Sequence, residues 1–360
     1  MAKEYLIDEL LTKMIQVKAE DLHISAGLPP TAQISGALTP LQGFNVLDKE
    51  ETTYLVSQLF NEEQISILYE ERELNSLYEM DSKSRFRINA YFEKGQIAVA
   101  IKLIPEHIPT LDELNMPHIL YEFCKLPQGL IIISGASGMG KSSTTAAMIN
   151  WINQNRSVHI VTIEDPIEYI FESDKSLIHQ RELYVDTLSW AKALKAALRE
   201  SADVIFIGEI QDTETMLLAI TAAEMGHLVI TCLHSYSSVQ TVDRVVGMFP
   251  EQQQSQVRMQ LASVVEGIIN QTLVRGVDSS KRYPAVEIMI ANSAVRNTIR
   301  EGKSHFLHNL INTSGDLGMI TMEKSLAELV SSGKINLEDA LTKTSNTDEV
   351  IRYTKAQLPK

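Results

Sequence analysis

Apolar residues Leu6, Leu10, Met14 and Val17 recur at spacings of three and four over residues 4–18, a period that predicts an amphipathic helix. Over residues 21–41 the pattern shortens to alternating stretches broken by Gly27, Pro29, Pro30, Gly36 and Pro40, which predicts small strands joined by tight turns. A helical stretch is expected over 48–71. Residues 76–104 read as two or three antiparallel strands, with 85–89 alternating and Glu93-Lys94-Gly95 as a turn. Together these predict an α+β domain over 1–104. Pro105, Pro109 and Pro117 disfavour regular structure and predict an interdomain linker over 105–117, about which the two halves could hinge.

From Gly129 the pattern changes to apolar, β-branched runs at 130–134, 159–163, 204–207 and 228–232, separated by helix-compatible stretches. Runs apolar on both faces belong to buried strands of a largely parallel sheet covered by helices on each side. Beyond Pro250 the chain reads as mainly helical to about residue 341. The second domain is expected over 118–345 and a polar, fraying tail over 346–360.

Composition narrows the function. The 360 residues suit two domains. A net charge of −14 repels a polyanion, so nucleic acid is not expected as a partner. The two cysteines, Cys124 and Cys232, exclude a disulfide framework and a CxxC zinc module. Lys3, Glu4, Asp8 and Glu9 interrupt any signal-peptide apolar region, and no run approaches a membrane span, so a cytoplasmic location is expected.

The chemistry concentrates after the first buried run. Gly135-Ala136-Ser137-Gly138-Met139-Gly140-Lys141-Ser142 satisfies GxxxxGK[ST], follows a predicted strand and precedes a helix-compatible stretch over 144–152, and Ser143 is counted with these loop residues as nucleotide-binding. Such a loop turns successive backbone N–H groups onto phosphate oxygens, and the following helix adds its positive end. Lys141 would reach the β- and γ-phosphates of ATP, and the Ser142 hydroxyl would ligate Mg²⁺. Glu209 ends the run 204–207 and is the candidate to orient the attacking water or to hold Mg²⁺ through water. Glu164, Asp165 and Glu168 bring three carboxylates to the same sheet edge, a crowding that a cation would relieve. His227 and His234 flank the run 228–232, with His234 at the end where a γ-phosphate would lie. A zinc site from His227, Cys232 and His234 lacks a fourth ligand and straddles a strand.

The segments GASGMGKSS, TIEDPIEYIF, VIFIGEIQDTETM, AAEMGHLVITCLHS and VDRVVGMFP, in this order, resemble the type IV pilus retraction ATPases, the PilT and PilU family within the type II/IV secretion ATPase superfamily. The resemblance covers residues 5–341. It implies an α/β fold with a RecA-like P-loop ATPase core preceded by a PAS-like N-terminal domain. It further implies a homohexamer that closes and opens each subunit around ATP, in the cytoplasm at the inner-membrane base of the pilus machine, acting on a platform protein there to drive pilus retraction and twitching motility. In family terms 162–168 is the Asp box with Glu164 its glutamate, Glu209 the Walker B glutamate, and His227 with His234 the His box. Spacing leaves open whether Glu164 or Glu209 is the general base. The resemblance also implies that Arg85, Arg87 and Arg199, with Lys195, approach the phosphates; read as residues alone, these are solvated cationic faces.

Departures from the family pattern qualify that expectation. Ala136, Ser137 and Met139 alter the loop at positions that offer mainly backbone. Lys102 and Lys195 stand where Arg is common, and Gln211 replaces an Arg, so bidentate forks are lost. Thr298 replaces a Leu in the 294–301 helix that the family links to retraction. These losses motivate a rival reading, an accessory PilU-like ring of weak ATPase activity docking on a paralogous retraction ATPase. An assembly or secretion ATPase is disfavoured, since two cysteines cannot build the tetracysteine zinc insertion usual there.

Overall fold

The computed structural model describes residues 6–34, 37–81, 84–278 and 281–357, and the chain divides between His107 and Ile108 into two compact units. In the first, α1 (Ile7–Gln16) buries Ile7, Leu10, Leu11 and Met14 along one stripe. Strands β1 (Asp21–Ser25), β2 (Thr31–Ile34) and β3 (Ala37–Pro40) follow. The expected helix over 48–71 is two helices, α2 (Lys49–Ser57) and α3 (Glu62–Glu71), because Asp48 and Asn61 each open a complete capping box with Glu51 and Gln64. Then come β4 (Glu73–Glu79), β5 (Arg85–Glu93) and β6 (Gln96–Ile104). All neighbouring strands are antiparallel in the order β3-β2-β1-β6-β5-β4. The turn from β5 to β6 uses Lys94 and Gly95, both at positive φ, as a two-residue hairpin on a right-twisted ribbon demands. Phe86, Ile88 and Ile101 are fully buried from one face, and each is worth about 1.5–3 kcal/mol of transfer free energy.

The second unit begins with an irregular stretch. Leu111 and Met116 are buried in one apolar cluster with Ile131 and Ile149, so these two side chains anchor residues 108–117 to this unit's core. The elements are α4 (Ile119–Lys125), β7 (Gly129–Ser134), α5 (Lys141–Asn155), β8 (His159–Glu164), β9 (Leu177–Glu182), α6 (Trp190–Ala197), β10 (Val204–Glu209), α7 (Thr213–Glu224), β11 (Leu228–Leu233), α8 (Ser238–Gly247) and α9 (Glu251–Val264). Two strands follow where helix was expected, β12 (Val265–Arg275) and β13 (Arg282–Ile290). They are succeeded by α10 (Ser293–Arg300), α11 (Leu307–Thr313), α12 (Met322–Ser331), α13 (Leu337–Leu341) and α14 (Thr347–Gln357).

The seven-stranded sheet runs β13-β12-β7-β11-β10-β8-β9, parallel throughout except for β13. Pro284 is accommodated because β13 is the edge strand. Two apolar layers, one on each face, bury every residue of β7 and β11. Where a fraying tail was expected over 346–360, residues 347–357 form α14, and 358–360 lie outside the described residues. Val350 is fully buried with Leu326 and Ile335, and Thr354, one turn on, is buried too. Among the described residues no helix is long and apolar enough to cross a membrane.

Candidate functional site

Parallel strands deliver their carboxyl ends to one edge of a sheet, and a change in connection direction opens a crevice there. Here the loop after β7, Glu164 at the end of β8, Glu209 at the end of β10 and His234 after β11 all reach that edge. Gly135 must be glycine: its φ is +149°, and a Cβ would lie 2.4 Å from the Gln271 carbonyl oxygen. Gly140, at φ +82°, is the left-handed residue from which α5 starts, so the first amides of α5 point out of the bend.

Lys141 is only 9% exposed, and burial lowers its pKa from the ordinary ammonium range. Its Nζ donates to the Gly135 and Ala136 carbonyls, each at 2.9 Å, and lies 3.3 Å from His234 Nδ1. These are neutral acceptors, so among the described residues no carboxylate is bonded to the desolvated cation, and Glu209 and Glu168 act on it only through space. His234 Nε2 lies 3.0 Å from Glu209 Oε2, and Gln211 Nε2 donates to Glu209 Oε1 at 3.2 Å. The tautomer protonated at Nε2 donates to Glu209 and accepts from Lys141, while Nδ1 also lies 3.2 Å from the Gly135 carbonyl, which takes its proton from Lys141 instead. Glu209 reaches this position through an irregularity in β10: Ile207 pairs with Thr231 but Glu209 with Cys232, leaving Gly208 as an extra residue that re-aims the carboxylate.

Glu164 is buried beneath the edge and Asp165 is exposed, so the acidic cluster divides into an interior and a solvated group. Burial pushes the Glu164 carboxyl up to about 7, against the downward pull of hydrogen bonds from Thr162 (2.7 Å) and Gln180 (3.2 Å). Ser142 is half-buried in the first turn of α5. Ser143 pairs with the Tyr169 hydroxyl at 2.8 Å.

Two residues that sequence reasoning missed hold the loop. Gln271 on β12 accepts from Thr144 Oγ1 and donates to the Met139 carbonyl, both at 2.8 Å. Asn270 beside it donates to Ser134 Oγ (3.0 Å) and to the Ser235 carbonyl (2.8 Å), binding β7 to the segment after His234. The signal for both is the pair of β-branched doublets Val264-Val265 and Ile268-Ile269, separated by Glu266-Gly267 and leading into Asn-Gln-Thr, a pattern too short to tell a strand from a buried helical segment.

The structure corrects the placement of His227 and Arg199. His227 precedes β11, its Nδ1 lies 2.6 Å from the Ala202 carbonyl, and its own carbonyl accepts from Gly129 N at the start of β7. Six residues of extended strand, about 20 Å, separate it from the His234 end. Arg199 likewise follows α6, which runs back from Trp190 beside Gly208 toward Glu200, whose carbonyl lies 3.0 Å from His159 Nδ1 at the start of β8. Neither side chain is brought to the loop of its own chain. Lys195 is exposed and ion-paired with Glu214 at 2.7 Å.

In the first unit, Arg85 and Arg87 lie on the same face of β5, opposite to the buried Phe86 and Ile88. Arg87 is in register with Lys102 of β6, a like-charge pair that Asp21, in register with Lys102 on its other side, partly offsets. Arg85 pairs with Glu79 at 2.8 Å. In the second unit, Val295 and Ile299 of α10 are buried and Thr298 is half-buried, while Arg296 fastens the helix to Glu266 at 2.7 Å.

A parallel sheet carrying a phosphate-binding loop, a strand-end glutamate and a histidine between that glutamate and the loop lysine defines a P-loop ATPase. Residues 108–356 match the family described as "Type II/IV secretion system protein", and the chain belongs to that family. It is 40% identical over 337 residues to the "Type IV pilus retractation ATPase PilT" of Pseudomonas aeruginosa, covering 94% of this chain and 97% of that one. It is 39% identical over 345 residues to a "Twitching motility protein" of Neisseria gonorrhoeae, covering 96% and 92%. The solved structure described as "the Pilus Retraction Motor PilT and Bound ADP" superposes with a TM-score of 0.89 at 39% identity, over 97% of this chain and all of that one.

Proposed function

We propose that this chain is an ATP-hydrolysing motor of type IV pilus retraction, working as a homohexameric ring in the cytoplasm against the inner-membrane platform of the pilus machine. The observation that carries the nucleotide chemistry is Lys141, a desolvated cation held only by neutral acceptors at the mouth of an amide-lined bend. An entering triphosphate supplies the countercharge, and Lys141 leaves the Gly135 and Ala136 carbonyls to meet it. The retraction reading rests on whole-length likeness to relatives named for that activity.

Ser142, with Glu209 through water, would hold Mg²⁺, which supplies charge neutralisation on the phosphate oxygens. The half-buried Ser142 hydroxyl and the strand-end carboxylate are oxygen donors suited to that ion. His234 ties the γ-phosphate position to Glu209, so loss of that phosphate registers at the carboxylate. The first unit forms the PAS-like domain, and delivery of its Arg85 and Arg87 to the phosphates gates turnover.

The test is phosphate release by purified Lys141→Ala and Glu209→Gln variants. Loss of turnover in both, with the fold intact by circular dichroism, is expected; unchanged turnover in both overturns the proposal. Turnover by the unmodified chain only when a paralogue is added would assign it instead to the accessory ring.

A further inference from the structure

Far from the phosphate loop in sequence, three C-terminal helices of the second unit bring a second set of polar groups together. His308 of α11, Glu323 of α12 and Glu349 of α14 each offer one ligand atom, and these atoms all lie within 4.8 Å of one another. Glu323 is only 8% exposed. Its Oε1 accepts from Thr344 Oγ1 at 2.8 Å, and Glu349 Oε1 accepts from Arg352 at 2.9 Å. The other oxygen of each carboxylate, Oε2, is shut off from solvent and has no hydrogen-bond partner among the described residues.

An ionised carboxylate with one oxygen stranded in the interior is costly, and two such oxygens side by side add like-charge repulsion. Both glutamates lie in the first turns of their helices, where the positive helix ends lower the cost of a negative charge. That explains why the charges are tolerated, not why an oxygen of each is left unbonded. One oxygen anchored and the other free is how a carboxylate is presented to a cation as a single-oxygen ligand. Glu287, buried on β13, is within electrostatic range of both His308 and Glu323, adding a further negative group beside the imidazole.

We propose that His308, Glu323 and Glu349 form a binding site for a divalent transition cation of the zinc class, which clips α14 to α11 and α12. One imidazole nitrogen with carboxylate oxygens is a donor set for such ions rather than for the all-oxygen preference of magnesium. Tetrahedral zinc at about 2.1 Å from its ligands would draw them to roughly 3.4 Å apart, at most about 1.4 Å closer than the 4.8 Å within which they lie here. Side-chain rotation supplies that movement, and water completes the coordination. The site is built from residues outside the phosphate edge and is independent of the motor reading.

The experiment uses the full-length, nucleotide-free chain after chelation, with zinc ions alone as the probe. Equilibrium dialysis and thermal unfolding are measured for the unmodified protein and for His308→Gln, Glu349→Gln and Glu323→Gln. His179→Gln is the control, because His159 and His179 lie 3.0 Å apart elsewhere in the unit and could also take zinc. Expected are one bound zinc lost in each of the first three variants, or its affinity weakened at least about tenfold. A zinc-dependent rise in unfolding temperature of roughly 5–10 °C at saturation should vanish with it and persist in the control. Folding of each variant is verified by its unfolding transition in chelator. Zinc binding and stabilisation unchanged in His308→Gln and Glu349→Gln would overturn the site, as would no zinc-dependent shift in the unmodified chain. Equal stabilisation by magnesium would overturn the assigned class of ion.

Discussion

Gln271 offers a sharp test of how the loop is held. Its side chain is 3% exposed and spans from Thr144 in α5 to the Met139 carbonyl in the loop, accepting one hydrogen bond and donating another. Gln271→Leu keeps roughly the same volume and removes both bonds. Thr144 is fully buried, so its hydroxyl loses its side-chain partner without access to water, at about 1–3 kcal/mol. The half-buried Met139 carbonyl can recover water, so its share is smaller. Urea unfolding should therefore show a loss of about 1–3 kcal/mol. Roughly every 1.4 kcal/mol needed to re-form the bend weakens ADP about tenfold, which isothermal titration calorimetry measures. Thr144→Val provides the second corner of a double-mutant cycle, and contact predicts a coupling of at least about 0.5 kcal/mol. ADP affinity within twofold of the unmodified chain, or strictly additive effects, would refute the reasoning.

The remaining predictions concern Glu164, whose carboxyl burial raises to about 7. If its ionised form is needed to manage the attacking water, kcat/KM for ATP rises with pH through about 7, and Glu164→Gln flattens that limb. The sign for stability is the reverse. The folded state keeps this proton where an unfolded glutamate, at 4.5, has lost it. The favourable contribution is therefore complete below about 4.5 and is lost as pH rises through 7, by up to about 3 kcal/mol. Urea midpoints across that window should fall for the unmodified chain more steeply than for Glu164→Gln.

What the sequence disclosed was what is local. The loop from Gly135 to Ser142 and the strand before it lie in one short stretch of chain, and its glycine spacing is enough to recognise the bend. Glu164, Glu209 and His234 were legible because each ends an apolar run, and parallel strands bring such ends to one edge. Gln271 was not, because it acts across 127 residues on Thr144. Its strand is also entered directly from α9 at Val264/Val265, and Glu266-Gly267 come only after the strand has begun, so they do not mark its start. A buried strand and a buried helical segment have the same apolar run, and periodicity cannot separate them.

α14 was hidden for the opposite reason. Its sequence is mostly polar around the short Val350-Ile351 pair, and only packing on α12 reveals that one face is interior. His227 and His234 look equivalent in sequence, one just before and one just after the same apolar run. The length of β11 sends them to opposite edges.

The central claim, that the bend before α5 grips a triphosphate through its amides and Lys141, is tested most directly by a crystal structure with a non-hydrolysable ATP analogue and magnesium. The account predicts Lys141 Nζ off the Gly135 and Ala136 carbonyls and on the β- and γ-phosphates, with Ser142 on the ion. Lys141 still bonded to both carbonyls, with the bend empty and the analogue bound elsewhere or not at all, would contradict it.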